Sequence, residues 1–212
     1  APNYANIMEV INLLEKNLRQ TKLEEFFQKD IVDKIVGTVR SIKEEVSKSK
    51  EQFKEIFVRR LKNELEAQGF ELNGHFPEFK VLFYTIEIDT SKNMARIWYG
   101  PKQELLKKVY PLDPTKIVRT LKQFHERITK KRFESDDEFL NKLFDAYKIV
   151  ITRNNGKIGD DVPICDVMLS LAIMIQDKRF KTDPQKSNFR SYGRVYFSYD
   201  LYRLKKRKIQ GY

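Results

Sequence analysis

Residues 31–56, "IVDKIVGTVRSIKEEVSKSKEQFKEI", decide how the first third of this chain folds. Val32, Ile35, Val39, Ile42, Val46, Ser49, Phe53 and Ile56 recur at alternating steps of three and four, the spacing of a heptad seam with Ser49 as its one polar member. Mixed charges such as Glu44, Glu45, Lys48, Lys50 and Glu51 lie between them, as on the solvent faces of a coiled coil. Past Ile56 the apolar line moves to Phe57, Leu61 and Leu65, which rotates the buried stripe, and Gly69 supplies a stop.

One helix over residues 31–68 would run roughly 57 Å. The alternative is a helical hairpin turned back at "SKSKEQ", residues 47–52. Gly37 weakens the single helix by roughly 1 kcal/mol relative to Ala, a cost that packing can outweigh. A face this narrow needs a partner in either form: a second copy, another protein or the rest of the chain. Upstream, Ile7, Val10, Ile11, Leu14 and Leu18 predict a first amphipathic helix over about residues 5–20. Residues 1–70 are therefore expected to be a helical assembly region, with a possible coiled coil over 31–68, and residues 71–212 an α+β body.

In that body, "FKVLFYTIEID" and "MARIWYG", joined by the turn "TSKN", predict a β-hairpin from Phe79 to Tyr99. On one continuous strand Leu82, Tyr84, Ile86 and Ile88 face one way and Val81, Phe83, Thr85, Glu87 and Asp89 the other. Two strands are marginal alone, and the aromatic stretch from Arg194 to Leu201 is expected to add a third. Between them three helices are expected. Asp113–Pro114 opens the first, with Ile117, Leu121, Phe124 and Ile128 buried and Lys116, Arg119, Lys122, Arg127 and Lys130 outside. Ser135–Glu138 is a capping box for the second. "VPICDVMLSLAIMIQD" is apolar nearly all round and should be a central core helix. The fold class is predominantly helical α+β: a long N-terminal helix or helical hairpin, a small antiparallel sheet and a three-helix body.

Charge is unevenly spread along the 212 residues. The net +11 divides into +1 over residues 1–70, +6 over 71–132, −3 over 133–180 and +7 over 181–212. An acidic partner for part of the chain is the functional reading, nucleic acid being the commonest; solubility is the plain one. The end of the chain, "YGRVYFSYDLYRLKKRKIQGY", interleaves aromatics with polar residues and then sets five cations between Arg203 and Lys208. Arg194, Arg203, Lys205, Lys206, Arg207 and Lys208, with the second cluster Lys130, Lys131 and Arg132, are the candidate nucleic-acid contacts. Tyr196 and Tyr202 would share a strand face with Arg194, where rings can stack on bases while cations meet phosphates. The plainer reading makes the aromatics core and the "KKRK" run a solvated tail.

Several chemistries lack their residues. His75, His125 and Cys165 have no zinc-ligand spacing, and the glycines form neither a phosphate cradle nor a nucleophile elbow. Nor does the order of elements follow a helix-turn-helix, zinc-finger or RRM signature. Glu87 and Asp89, with Glu78 and Lys80 just before them, are a weak constellation for metal-dependent phosphodiester cleavage; Asp160, Asp161 and Asp166 read as helix caps. No metal or cofactor is called for, and catalysis is not expected. No stretch of about 20 apolar residues spans a bilayer. "APNYANIMEV" does not read as a secretory signal, and the lone Cys165 forms no internal disulfide, so a cytoplasmic protein is expected. The expectation is a non-catalytic nucleic-acid-binding subunit of a larger complex. A protein-interaction adaptor without a nucleic-acid role comes second, and a divalent-metal nuclease third.

Overall fold

The structure is a computed structural model that describes residues 4–21 and 23–205. It is a predominantly helical α+β fold. Its contacts divide the chain into two compact units between Phe124 and His125.

In the first unit α1 (Tyr4–Gln20) is followed, after a short 3-10 turn at Leu23–Glu25, by α2 (Lys29–Glu66). α2 is one unbroken helix of 38 residues, so the hairpin alternative at residues 47–52 does not occur. α1, not a second half of α2, folds back along the seam: Lys43 Nζ meets Glu15 Oε2 at 2.6 Å, and the Tyr4 and Phe53 rings lie 5.9 Å apart. The stripe rotates as the sequence predicts, Ile56 being exposed while Phe57, Leu61 and Leu65 are buried. α2 ends in a Schellman closure. The Phe70 N–H donates to Leu65 O and the Gly69 N–H to Glu66 O, with Gly69 at φ 76°, a conformation that suits a residue without Cβ.

A five-stranded antiparallel meander follows in the order β1–β2–β3–β4–β5: Asn73–His75, Glu78–Val81, Tyr84–Asp89, Met94–Tyr99 and Glu104–Val109. The expected first strand is thus two strands. Val81 pairs with Tyr84 across a two-residue turn in which Leu82 sits at φ 53°. That turn corrects the facing: Val81 joins Tyr84, Ile86 and Ile88 on the core side instead of lying beside Glu87. Hairpin turns of this length want a positive φ, normally from Gly or Asn, and Leu82 gives no such signal in the sequence. The core side of the sheet is buried, as are Leu61 and Leu65 of α2 and Ile117, Val118 and Leu121 of α3 (Pro114–Thr129).

The second unit contains α4 (Asp136–Arg153), α5 (Ile164–Met174), α6 (Lys178–Thr182) and α7 (Arg194–Lys205). Ser135 caps α4 as expected, its Oγ accepting from the Glu138 N–H at 3.0 Å, while Glu138 Oε2 accepts from the Glu134 N–H. Phe133, Phe139, Ala146, Val150, Val167, Leu171, Tyr192 and Phe197 form one core. α5 is not buried all round: Leu169 and Ile173 emerge on the side opposite Val167 and Leu171. The larger correction concerns Arg194–Leu201, which forms α7 and no strand. Phe197 and Asp200 are buried and Leu201 and Leu204 partly so, at steps of three, one and three. That is a helix stripe, and the alternation of Val195, Phe197, Tyr199 and Leu201 competed with it in the sequence.

Candidate functional site

Where the sheet hands over to α3, the first unit builds a basic groove. A bulge on β5 sets Ile97 opposite Lys107 and Trp98 opposite Leu105, leaving Leu106 as the extra residue just before Lys107 and Lys108. The chain then turns at Tyr110–Pro111, a cis peptide, into α3, where Asp113 Oδ1 accepts from the Thr115 N–H at 3.2 Å. Burial of Ile117, Val118 and Leu121 leaves Lys116, Arg119 and Gln123, at i, i+3 and i+7, on an outer face. An open groove of about 310 Å³ results, lined by Lys107, Lys108, Tyr110, Lys116, Arg119 and Gln123 among others. No carboxylate lines it. None of the four cations makes an ion pair with a described carboxylate, so their charge is available to an anion.

The basic run in the second unit is used differently. Lys130 and Lys131 are exposed and make no ion pair with a described carboxylate. Arg132 turns inward. Its Nε lies 3.1 Å from Asp200 Oδ2, with 8% of the Arg132 side chain and 2% of the Asp200 side chain exposed. Its two Nη atoms donate to Ile128 O, one of them also to Lys130 O, closing the end of α3; its guanidinium stacks over the Tyr196 ring at 4.5 Å. Tyr192 donates its hydroxyl to the same Asp200 oxygen at 3.0 Å. Burial pushes the Asp200 carboxyl above its ordinary range, with Arg132 pulling against it. Burial and the neighbouring carboxylate push the Tyr192 hydroxyl far up. Arg132 is a structural cation.

Of the other expected contacts, Arg194 stands exposed on the first turn of α7. Arg203 Nη2 binds Asp136 Oδ1 at 2.6 Å, tying α7 to the start of α4. The side chain of Lys205, and Lys206, Arg207 and Lys208 entirely, lie outside the described residues. α7 also undoes the shared strand face on which Tyr196 and Tyr202 were to stand with Arg194.

The acidic constellation on the sheet is occupied by cations. Arg96 reaches Glu87 at 3.3 Å and Asp89 at 3.1 Å, Lys102 bridges Glu78 and Glu87, and the Trp98 indole N–H donates to Glu87. Partial burial works against ionisation of both carboxyls. Hydrogen bonds from Trp98 to Glu87 and from Ser91 to Asp89, with Arg96 and Lys102 beside them, outweigh it and hold both below their ordinary values. Asp160 accepts from the Lys157 N–H at 2.7 Å, and Asp166 pairs with Arg153 at 3.4 Å. Among the described residues no group of three His, Cys, Asp or Glu side chains is placed to hold a metal ion, and no helix is long and apolar enough to cross a membrane.

Comparison with protein families, with curated proteins and with solved structures finds no match to this chain. Sequence reasoning placed Lys116 and Arg119 on the outer face of α3 but passed over Lys107 and Lys108, because "ELLKKVYP" carries no strand alternation. The signal available was the +6 net charge of residues 71–132, which most of the groove shares.

Proposed function

We propose that this chain is a non-catalytic nucleic-acid-binding subunit of a larger complex, holding the phosphate backbone through basic surface. The observation that carries the reading is the groove between β5 and α3, four cations with no lining carboxylate beside an exposed tyrosine. A backbone phosphate needs charge and donors in an accessible line, and Lys107, Lys108, Lys116 and Arg119 supply them. Tyr110 adds a ring on which an unpaired base can stack. The second unit has exposed cations of its own at Lys130, Lys131 and Arg194. Binding of this kind displaces condensed counterions, so it is salt-sensitive and weakly sequence-specific. The single Cys165, with no disulfide partner in the chain, suits the reducing cytoplasm.

The test is a titration of labelled duplex DNA, single-stranded DNA and RNA at low and physiological salt. It compares the full chain with Lys107→Ala/Lys108→Ala and with a chain ending at Tyr202. Affinity that falls with salt and with the double substitution supports the reading. Affinity lost only on truncation returns the site to Arg203–Lys208. Absence of binding to all three at low salt rejects it and leaves an acidic protein as the partner of the basic surface.

A further inference from the structure

We propose that the open face of the α1–α2 hairpin docks a second copy of this chain, two hairpins closing into a four-helix bundle about a two-fold axis. The inference deepens the subunit reading above on its assembly side and does not depend on nucleic-acid binding.

A heptad seam consists of two lines. On α2 these are Val32, Val39, Val46 and Phe53, and Ile35, Ile42, Ser49 and Ile56. The first line faces α1: Val32 and Val39 are buried, and Phe53 meets Tyr4. In the second, Ser49 is half-buried and the three isoleucines are open among the described residues. Ile35, Ile42 and Ile56 are 37%, 45% and 56% exposed. α1 repeats the arrangement, with Ile11 buried and Leu18 partly so, while Ile7 and Leu14 are 41% and 45% exposed.

On each helix the open line lies roughly 50° from the buried one, in the same rotational sense. Because α1 and α2 run antiparallel, equal sense brings both open lines to the same side of the hairpin. Val10 flanks the open line on α1, and Thr38, Glu45 and Gln52 flank the one on α2, so the merged apolar face is bordered by polar residues and one carboxylate. Each helix thus spends half its seam on the other and presents the other half outward, which is the half-filled core of a four-helix bundle.

Three considerations make a second copy the occupant. A two-fold interface requires a patch complementary to itself, and another hairpin brings the same two lines at the same spacing. Residues 1–70 carry a net charge of only +1, so two copies meet without the repulsion that the rest of the chain would bring. Ile7, Val10, Leu14, Ile35, Ile42 and Ile56 together expose roughly 500 Å² per copy, so full burial would give about 1,000 Å² for two, the lower bound for a specific interface.

The experiment is sedimentation equilibrium of the full chain at high salt, without nucleic acid, over a range of concentrations. A monomer–dimer equilibrium is expected. Ile35→Glu/Ile42→Glu should weaken it by roughly 100-fold or more, since each dimer would bury four unpaired carboxylates, with helical circular dichroism unchanged. Leu169→Glu/Ile173→Glu, on the exposed side of α5, should leave it intact. If the first variant loses its helical signal, Leu14→Glu on the other helix of the face replaces it with the same expectation. A wild-type monomer at every concentration, or a dimer indifferent to these substitutions, overturns the proposal. Failure to bind nucleic acid leaves the sedimentation result standing, so the two readings fail separately.

Discussion

The groove of Lys107, Lys108, Lys116 and Arg119 and the run Lys130–Lys131–Arg132 are alike in composition and different in use. The groove cations have no described carboxylate to answer them, whereas Arg132 gives its guanidinium to Asp200, to two backbone carbonyls and to a tyrosine ring. A basic residue contributes to an outward field only to the extent that the fold leaves its charge unneutralised. Charge counted along a sequence therefore locates the right neighbourhood and overstates individual residues.

The sharpest way to break this comparison is Arg132→Ala. If Arg132 is structural, removing it leaves Asp200 buried without its counter-charge, and Asp200 Oδ1 already has no hydrogen-bond partner among the described residues. A loss of about 3–5 kcal/mol in the stability of the second unit is expected, read from chemical denaturation. Arg132→Met/Asp200→Leu should recover part of that loss, because no isolated charge then remains in the core. An Arg132→Ala protein as stable as wild type, with weakened nucleic-acid affinity, would make Arg132 a surface contact after all.

The opposite outcome belongs to the groove. Lys107→Ala/Lys108→Ala should leave stability within about 0.5 kcal/mol of wild type. Affinity for nucleic acid at low salt should fall by about 10-fold or more, and the slope of log affinity against log salt should shrink by about 1 to 2, the two phosphates lost. Matching losses in Lys130→Ala/Lys131→Ala would show that the second unit shares the contact. An unchanged salt slope in both variants would remove these four lysines from the interface.

What could be read from the sequence follows the strength of the local signal. The first line of the seam, the stripe rotation after Ile56, the Gly69 stop and the Ser135 cap are found in the fold, while Ile35, Ile42 and Ile56 of the second line are exposed. The turn at Leu82 was not legible, because a left-handed leucine is held by the strand pairing on either side of it. α7 was misread because Val195, Phe197, Tyr199 and Leu201 satisfy a period of two while the packed residues follow 3.6. Asp200 was the clue: on a helix it shares the buried side with Phe197, where Arg132, 68 residues earlier, can meet it. For the site, Lys107, Lys108, Lys116 and Arg119 come together only through the β5 bulge and the turn into α3. No spacing rule in the sequence joins them.

A third kind of cation stands between the two extremes. Arg96 is partly covered and answers Glu87 and Asp89 on the polar side of the sheet. Both carboxyls titrate below their ordinary 4.5 and 3.8 in the folded protein. Their ionised forms therefore add stability that is complete above the unfolded values and is lost as pH falls from about 4.5 through the lower folded values. Thermal unfolding of wild type should weaken over that interval. Glu87→Gln should unfold with a flatter pH dependence there and at a lower temperature at neutral pH. Equal pH dependence in the two proteins would mean that the Arg96 and Lys102 contacts to Glu87 are as weak as ordinary exposed pairs.

The smallest effect bears on Arg203, which the sequence offers as a phosphate contact and the fold pairs with Asp136. Both side chains are about a third exposed, so water already screens much of their attraction. Asp136 also lies in the first turn of α4, where the helix dipole stabilises a carboxylate without any partner. Arg203→Ala should accordingly cost only about 0.5 kcal/mol. The diagnostic quantity is the affinity. A side chain bound at 2.6 Å to its own carboxylate must give that pair up to reach a phosphate, so its net gain on binding is smaller than that of an unpaired lysine. Arg203→Ala should leave affinity within about 2-fold of wild type, while Asp136→Ala, which frees the guanidinium, should raise it. A loss of affinity in Arg203→Ala as large as that in Lys107→Ala/Lys108→Ala would place Arg203 among the open cations and erase the distinction for α7.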